Sequence, residues 1–238
     1  MSMQPTQTPS VTTRHTPAFE GFDDRNDVAE FEAHAGRGRF NSAFFWVMGG
    51  YINWHMRQAK ATAFADLPST VVELGSGVGA NMRHLPVGAR LIAIEPNPYM
   101  HTRLRRAARS RAIDLEIRSV VGERIDLPDA SADVVISSLV LCSVTDPEAV
   151  LAEVRRVLRR GGRFSFAEHV AAKPGTPTRW VQRVLRRPWA WVFEGCSCER
   201  DLATLIESSG FSRVDLRHHR IHSPFLPFNT HISGTAIA

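Results

Sequence analysis

The densest chemistry in the chain lies between Thr70 and Glu95. An apolar run, Val71-Val72-Glu73-Leu74, leads into a glycine-rich turn, Gly75-Ser76-Gly77-Val78-Gly79. A helix is expected to start at Ala80, and a second apolar run, Arg90 to Ile94, ends in an acid, Glu95. Strand, turn, helix and strand in that order place both runs in one parallel sheet. Glycine lets the backbone take a positive φ and approach a ligand with no Cβ in the way. Glu95 falls about 20 residues after Gly75, where an acid can accept hydrogen bonds from ribose hydroxyls. A glycine turn with an acid arriving on that schedule is a cradle for a nucleoside.

Two cofactor classes use this geometry. A nicotinamide dinucleotide site has G-x-G-x-x-G; counting from Gly75, the last position here is Ala80, which the looser form allows. Glu73, an acid inside the first strand, fits a diphosphate badly and suits a cofactor that carries a cation. The pattern resembles motif I of the class I S-adenosylmethionine (SAM) methyltransferases. That resemblance implies a cofactor loop of Glu73, Gly75, Ser76, Gly77, Gly79 and Asn81, with Glu95, Pro96 and Asn97 on the ribose side. Gly122, Glu123 and Arg124 follow the third strand, where related enzymes place an acid beside the adenine amino group, and Glu123 is the candidate. Leu139 borders the same cofactor from the end of the fourth strand.

The elements that must position these residues follow from periodicity and punctuation. Residues 1–22 are rich in Thr, Pro, Ser and Gln and read as a flexible tail. Residues 23–66 form a helical cap, with Val28, Phe31, Phe40, Phe44, Phe45, Val47 and Met48 at intervals of three and four. Gly36, Gly38 and the Gly49-Gly50 pair are expected to break it into pieces. The methyltransferase domain spans 67–238. Its first helix is expected over Ala80–His84, a second from Pro98 to Arg111, and a third strand over Leu115–Val120. Asp133–Ser137 reads as a fourth strand, and Pro147 opens a helix through Leu158 that Gly161-Gly162 ends. Gly162–Val170 reads as a fifth strand, followed by a helix over Glu199–Ser209. Val214–Leu216 and His231–Ile237 form the last, antiparallel pair. The fold class is therefore α/β: a Rossmann-like, mostly parallel sheet of seven strands with helices on both faces, the last strand antiparallel, and an N-terminal helical lid. Residues 171–198 are too long and too aromatic for a plain connection, so they are expected to roof the pocket for the second substrate.

At 238 residues, one domain with a small cap is long enough to bury a full core. The formal charge of +5 comes almost wholly from arginine, with Lys60 and Lys173 the only lysines. The arginines are scattered among acids and no aromatic stacking platform accompanies them, so solvated helix faces explain them and no nucleic-acid partner is expected. Cys142, Cys196 and Cys198 make no disulfide framework, and no secretory signal or bilayer-length apolar run is visible. The expectation is a cytoplasmic protein, monomer or weak dimer.

The blocks ELGSGVGANM, IEPNP, SSLVLCSV, EVRRVLRRGGRF, EHV, EGCSC and THISGTA, spread over Val71 to Ala238, together resemble the methyltransferase-like alkyl thiol methyltransferases. Bacterial S-methyltransferases that cap dithiol natural products stand nearby. The resemblance implies SAM as cofactor and S-methylation of a small thiol or dithiol, in natural-product biosynthesis or thiol detoxification. The alternative is an O- or C-methyltransferase of a polyketide or quinone. The membrane-anchoring N-terminal helix of the animal members has no match here, so no membrane partner is expected. Glu95 stands where they carry Asp, a change of one methylene that keeps the ribose contact.

A thiol with a pKa near 8.5 already supplies some thiolate at neutral pH, so no strong base is obligatory. Glu168, His169 and His231 are the candidate catalytic residues, with one histidine accepting or sharing the thiol proton. Cys142, Trp180, Trp191 and Phe193 are the candidate substrate-pocket residues, Cys142 as a small buried apolar group. Cys196 and Cys198 with His218, His219 and His222 lack the usual C-x₂₋₄-C spacing, so no metal is expected.

Overall fold

The computed structural model describes residues 34–238. The proposed tail, the first part of the cap, and Val28 and Phe31 lie outside the described residues. Seven strands form one sheet, β1 (Thr70–Leu74), β2 (Arg90–Ile94), β3 (Asp114–Arg118), β4 (Ala132–Ser138), β5 (Leu158–His169), β6 (Arg213–Arg220) and β7 (Thr230–Ile237). Their order is β3-β2-β1-β4-β5-β7-β6. The first five run parallel, while β7 pairs antiparallel with both β5 and β6. The chain winds outward from β1 to β3 and then crosses back to β4, so the crevice for a ligand lies over the β1–β4 boundary.

Six helices accompany the sheet among the described residues: α1 (Ala35–His55), α2 (Arg57–Ala63), α3 (Pro98–Ser110), α4 (Pro147–Val157), α5 (Pro177–Val192) and α6 (Leu202–Ser208). Three of them start where a side chain caps the first turn just ahead of a proline. Asn97, Asp146 and Thr176 accept from backbone N–H groups of α3, α4 and α5. One face of the sheet packs Val72, Leu74, Val135, Phe164 and Phe166 against Leu151 and Val154 of α4 and Leu202 and Ile206 of α6. The other packs Val71, Leu91, Ile136 and Ala167 against Met56 and Ala63 at the cap and Leu104 of α3.

Several boundaries differ from the sequence reading. The helix expected at Ala80–His84 is only a single 3₁₀ turn, Met82–His84, because Leu85-Pro86 follow at once and Pro86 cannot continue a helix. Gly161-Gly162 do not end a helix; α4 stops at Val157 and β5 begins at Leu158, with the glycines inside the strand. Glycines also fail to break α1, which runs unbroken for 21 residues. At Gly38 the reason is contact, since a Cβ there would lie 2.6 Å from Tyr99 Cδ2.

Candidate active site

The crevice over β1 and β4 is one continuous cavity of about 900 Å³, ample for a ligand of drug size or larger. The turn after β1 forms its floor. Gly75, Gly77 and Gly79 all have positive φ, at 53°, 54° and 85°. At Gly75 a Cβ would lie 2.4 Å from Val140 Cγ2, so the absence of a side chain lets the turn pack on the segment after β4. At Gly77 a Cβ would meet nothing nearer than the Gly75 carbonyl at 3.9 Å, and the space it would fill belongs to the cavity. Glu95 closes this cradle from β2: Oε2 accepts from Gly77 N at 2.7 Å and Oε1 from Asn97 N at 2.9 Å. Each oxygen keeps a further lone-pair direction for a ribose hydroxyl. Burial pushes the Glu95 carboxyl up to about 7, against the pull of those two N–H groups. These features fit a nucleoside cofactor.

Beneath the turn runs a buried polar chain. Lys60 Nζ donates to Asn53 Oδ1 at 2.9 Å and to Asn81 Oδ1 at 2.8 Å, and Asn81 Nδ2 donates to Glu73 Oε1 at 2.7 Å. Glu73 Oε2 has no hydrogen-bond partner, and desolvation raises the Glu73 carboxyl. Lys60 is buried on the cavity wall, and loss of water lowers its ammonium to about 8. Lys60 was not among the residues expected from sequence, although its being one of two lysines in an arginine-rich chain was a visible signal.

Over β4 and β5 the cavity becomes apolar and aromatic. Phe44, Phe45 and Met48 of α1 face it together with Trp189, Phe193 and Phe228. Its wall there carries Cys142, from the turn after β4, His169, the last residue of β5, and Cys196, from the loop after α5. Cys142 Sγ and Cys196 Sγ are 3.4 Å apart, and Cys196 Sγ is 3.7 Å from His169 Nδ1. Trp189 Nε1 donates to Cys196 Sγ at 3.4 Å. Sharing one proton between the sulfurs pushes Cys142 up and holds Cys196 down. Two backbone contacts fix the pair: Ser197 N donates to Cys142 O at 2.7 Å, and Gly195, at φ 87°, sits where a Cβ would lie 2.9 Å from Ser143 O.

The structure places some expected site residues elsewhere. Gly75, Ser76, Gly77, Asn81, Glu95, Pro96, Gly122, Glu123, Arg124 and Leu139 all line the cavity, but Glu73, Gly79 and Asn97 do not. Glu73 lies beneath the turn, Gly79 packs against Ala107 and Met82, and Asn97 caps α3. Glu123 turns its Oε1 to Thr145 N and Asp146 N, at 2.8 and 3.1 Å.

Among the expected catalytic and substrate-pocket residues, only His169, Cys142 and Phe193 reach the cavity. Glu168 is buried and occupied: Oε1 accepts from Ser137 Oγ at 2.6 Å, and Oε2 from Val140 N and Leu141 N at 2.9 and 3.2 Å. It holds the turn that presents Cys142, where Leu139 takes a left-handed φ of 61°. His231 pairs with His169 in register across β7 and β5 but lines a separate cavity of about 220 Å³. Trp180 and Trp191 are 66% and 70% exposed; they ride the outer face of α5, whose inner face buries Thr178 and Gln182. Cys198 gives its hydrogen to Gln182 O at 3.3 Å.

Comparison with known proteins agrees with this geometry. The methyltransferase domain family matches residues 72–166. Human thiol S-methyltransferase TMT1A is 38% identical over 197 residues, covering 78% of this chain and 80% of that protein. Rat thiol S-methyltransferase TMT1B is 40% identical over 172 residues, covering 71% and 70%. Among solved structures, a possible histamine N-methyltransferase of Thermotoga maritima superposes with a TM-score of 0.58 at 18% identity, over 90% of this chain and 99% of that one. A putative methyltransferase of Haloferax volcanii superposes with a TM-score of 0.60 at 20% identity, over 88% and 97%. These structural likenesses speak to the fold, while the sequence relatives reach further: a SAM-dependent methyltransferase, the chain belongs to the family of the thiol S-methyltransferases TMT1A and TMT1B.

Proposed function

We propose that the acceptor of this methyltransferase is the sulfur of a small, fairly hydrophobic thiol or dithiol. The observation that carries this reading is the character of the cavity over β4 and β5. Its walls are largely aromatic, and the polar groups beside them are two cysteines, one imidazole, the Ser143 hydroxyl and Glu194, whose Oε1 accepts from Asn97 Nδ2 at 3.0 Å. Glu168, the carboxylate nearest in sequence, is consumed by three hydrogen bonds. An amine or alcohol must lose its proton to a base before it attacks, whereas a thiol is already partly ionised at neutral pH. The relatives named for thiol S-methylation support the same choice. Capping of a dithiol natural product and detoxification of free thiols are both compatible with such a cavity.

The cofactor supplies an electrophilic methyl group on a sulfonium. Gly75 and Gly77 would admit its nucleoside, Glu95 would accept from the ribose hydroxyls, and Lys60 would hold its carboxylate. Phe44, Phe45, Trp189 and Phe193 exclude water from the acceptor and bring its sulfur into line with the methyl carbon. His169 Nε2 lies 2.6 Å from Pro227 O, a contact that requires the proton on Nε2 and leaves the Nδ1 lone pair, now 3.7 Å from Cys196 Sγ, as the ring's proton acceptor on the cavity side. The test is a panel of thiols, phenols and amines offered with SAM, with products read by mass spectrometry. Methyl thioethers are expected; methylated phenols or amines with no thioether would overturn the reading.

A further inference from the structure

We propose that Cys142, His169 and Cys196 form a binding site for a zinc ion whose fourth position opens on the acceptor cavity. The proposal rests on the thiol reading for its chemistry, not for its geometry. Sγ of Cys142, Sγ of Cys196 and a ring nitrogen of His169 all lie within 4.8 Å of one another, and all three residues are buried. A tetrahedral ion with Zn–S of about 2.3 Å and Zn–N of about 2.0 Å needs neighbouring ligand atoms roughly 3.5–3.8 Å apart. The separations of 3.4 Å between the sulfurs and 3.7 Å from Cys196 Sγ to His169 Nδ1 are within about 0.4 Å of that geometry.

The surroundings are those of a metal ligand set. A ligating histidine gives its other ring N–H to a backbone carbonyl, which fixes ring and tautomer. His169 Nε2 makes that bond to Pro227 O at 2.6 Å and turns Nδ1 to the sulfurs. Trp189 Nε1 donates to Cys196 Sγ, as a second-sphere donor to a metal thiolate does. Two thiolates and an imidazole with an open position make a catalytic zinc set, as opposed to the closed four-ligand structural kind. Because all three residues line the cavity, the open position faces the acceptor.

The chemistry balances without an added redox partner. The acceptor R–SH binds through sulfur and releases its proton to solvent, giving a zinc-bound thiolate. A sulfur lone pair forms the new S–CH₃ bond as the C–S bond of the sulfonium breaks, its electron pair staying on the cofactor's sulfur. The neutral thioether R–S–CH₃ is a poor ligand and leaves, which frees the position for the next thiol. With zinc present, His169 serves as ligand, and the ion, not the imidazole, lowers the thiol's pKa.

The experiment uses the full chain, reduced and stripped with a chelator, then titrated with cobalt(II) and back-titrated with zinc. Expected are one ion per chain, a sulfur-to-cobalt charge-transfer band with tetrahedral visible bands, and a shift of both when benzyl mercaptan is added. Cys142→Ser and Cys196→Ser should each weaken zinc by more than the roughly 10–100-fold typical of losing an outer partner. Trp189→Phe should weaken it by roughly tenfold with the band retained, and Cys198→Ser should leave it unchanged. Absence of the charge-transfer band in the wild-type protein, or its survival in both serine variants, overturns the site. So does a Cys142–Cys196 disulfide that persists under reductant. Equal thiol methylation by stripped and zinc-loaded protein overturns the activating role while leaving the thiol reading intact. Tight one-to-one zinc binding with no thiol methylated supports the site and counts against the thiol reading alone.

Discussion

Glu95 and Lys60 are both buried, and burial moves them toward each other, the carboxyl up to about 7 and the ammonium down to about 8. If the charged form of each holds the cofactor, affinity in the free protein is set by two ionisations. As pH falls through about 7, Glu95 takes up a proton that ribose hydroxyls must then compete with, so affinity falls on the acid side. As pH rises through about 8, Lys60 loses the proton that pairs with the cofactor's carboxylate, so affinity falls on the alkaline side. Calorimetric titration with SAM should give a maximum between these values. Glu95→Gln should abolish the acid limb only, and Lys60→Met the alkaline limb only. At the maximum, Lys60→Met should cost about 1.5–3 kcal/mol, the worth of a charged hydrogen bond. A flat profile in the wild-type protein would remove both assignments. Glu95 was legible because an acid at a strand end, a fixed interval after a glycine turn, is a local pattern. Lys60 was not, because its partners Asn53, Asn81 and Glu73 come together only when α1, α2 and the first turn meet.

The turn after β4 shows how an element can be read correctly while its key residue is misassigned. Leu139 and Cys142, named from the sequence for the cofactor and the acceptor, both line the cavity from this turn, which follows a buried strand at the sheet's switch point. Glu168 was expected to do chemistry because it is an acid beside a histidine at a strand end. Strand pairing puts Ser137 and Ser138 of β4 beside Phe166 and Ala167 of β5, so Glu168 lies next to the turn and its carboxylate is taken up there. Glu168→Ala would leave two backbone N–H groups and a hydroxyl without their acceptor, a loss of about 1–3 kcal/mol for each buried donor that water cannot reach. Thermal unfolding should show this variant clearly destabilised, and Glu168→Gln, which keeps one carbonyl oxygen for the Val140 and Leu141 amides, less so. Equal, wild-type stability in both would refute the positioning role. The same lesson holds for α5. Aromatic composition told that 171–198 meets the cavity, but only the helical phase decides which rings do. Trp180→Ser and Trp191→Ser should therefore leave the KM for a hydrophobic thiol unchanged and stability within about 0.5 kcal/mol. Trp189→Ala and Phe193→Ala should raise that KM with kcat less affected.

The seven strands and the helices on both faces of the sheet were legible, because β-branched runs bounded by turns mark strands locally. The relation of the cap to the cavity was not, since intervals of three and four do not say what an apolar face will meet. In the structure that face meets the cavity with Phe44, Phe45 and Met48; the start of α1 is tied to the body by polar bonds, while Met56 and Ala63 seat α2 in the apolar core. Asn41 donates to Val192 O at 2.9 Å and Ser42 to Tyr99 O at 2.8 Å. Such bonds exchange with water at a net cost of only about 1 kcal/mol each, so α1 can open at far less cost than β4 or β5 can unpair. A ligand that bridges the cap and the first turn should bias that opening. At about 100 times its Kd, SAM should stabilise the protein by about 2.7 kcal/mol, which for a domain of roughly 200 residues is about 5–11 °C in Tm. Hydrogen exchange should locate the effect: SAM should slow Ala35–His55 amides strongly and β4 and β5 amides little, because the latter already exchange only through global unfolding. Lys60→Met should keep the core protection and lose most of the cap's. If SAM instead protects the whole molecule uniformly, the cap is not a separately opening element, and access to the acceptor cavity must come from the loop after α5.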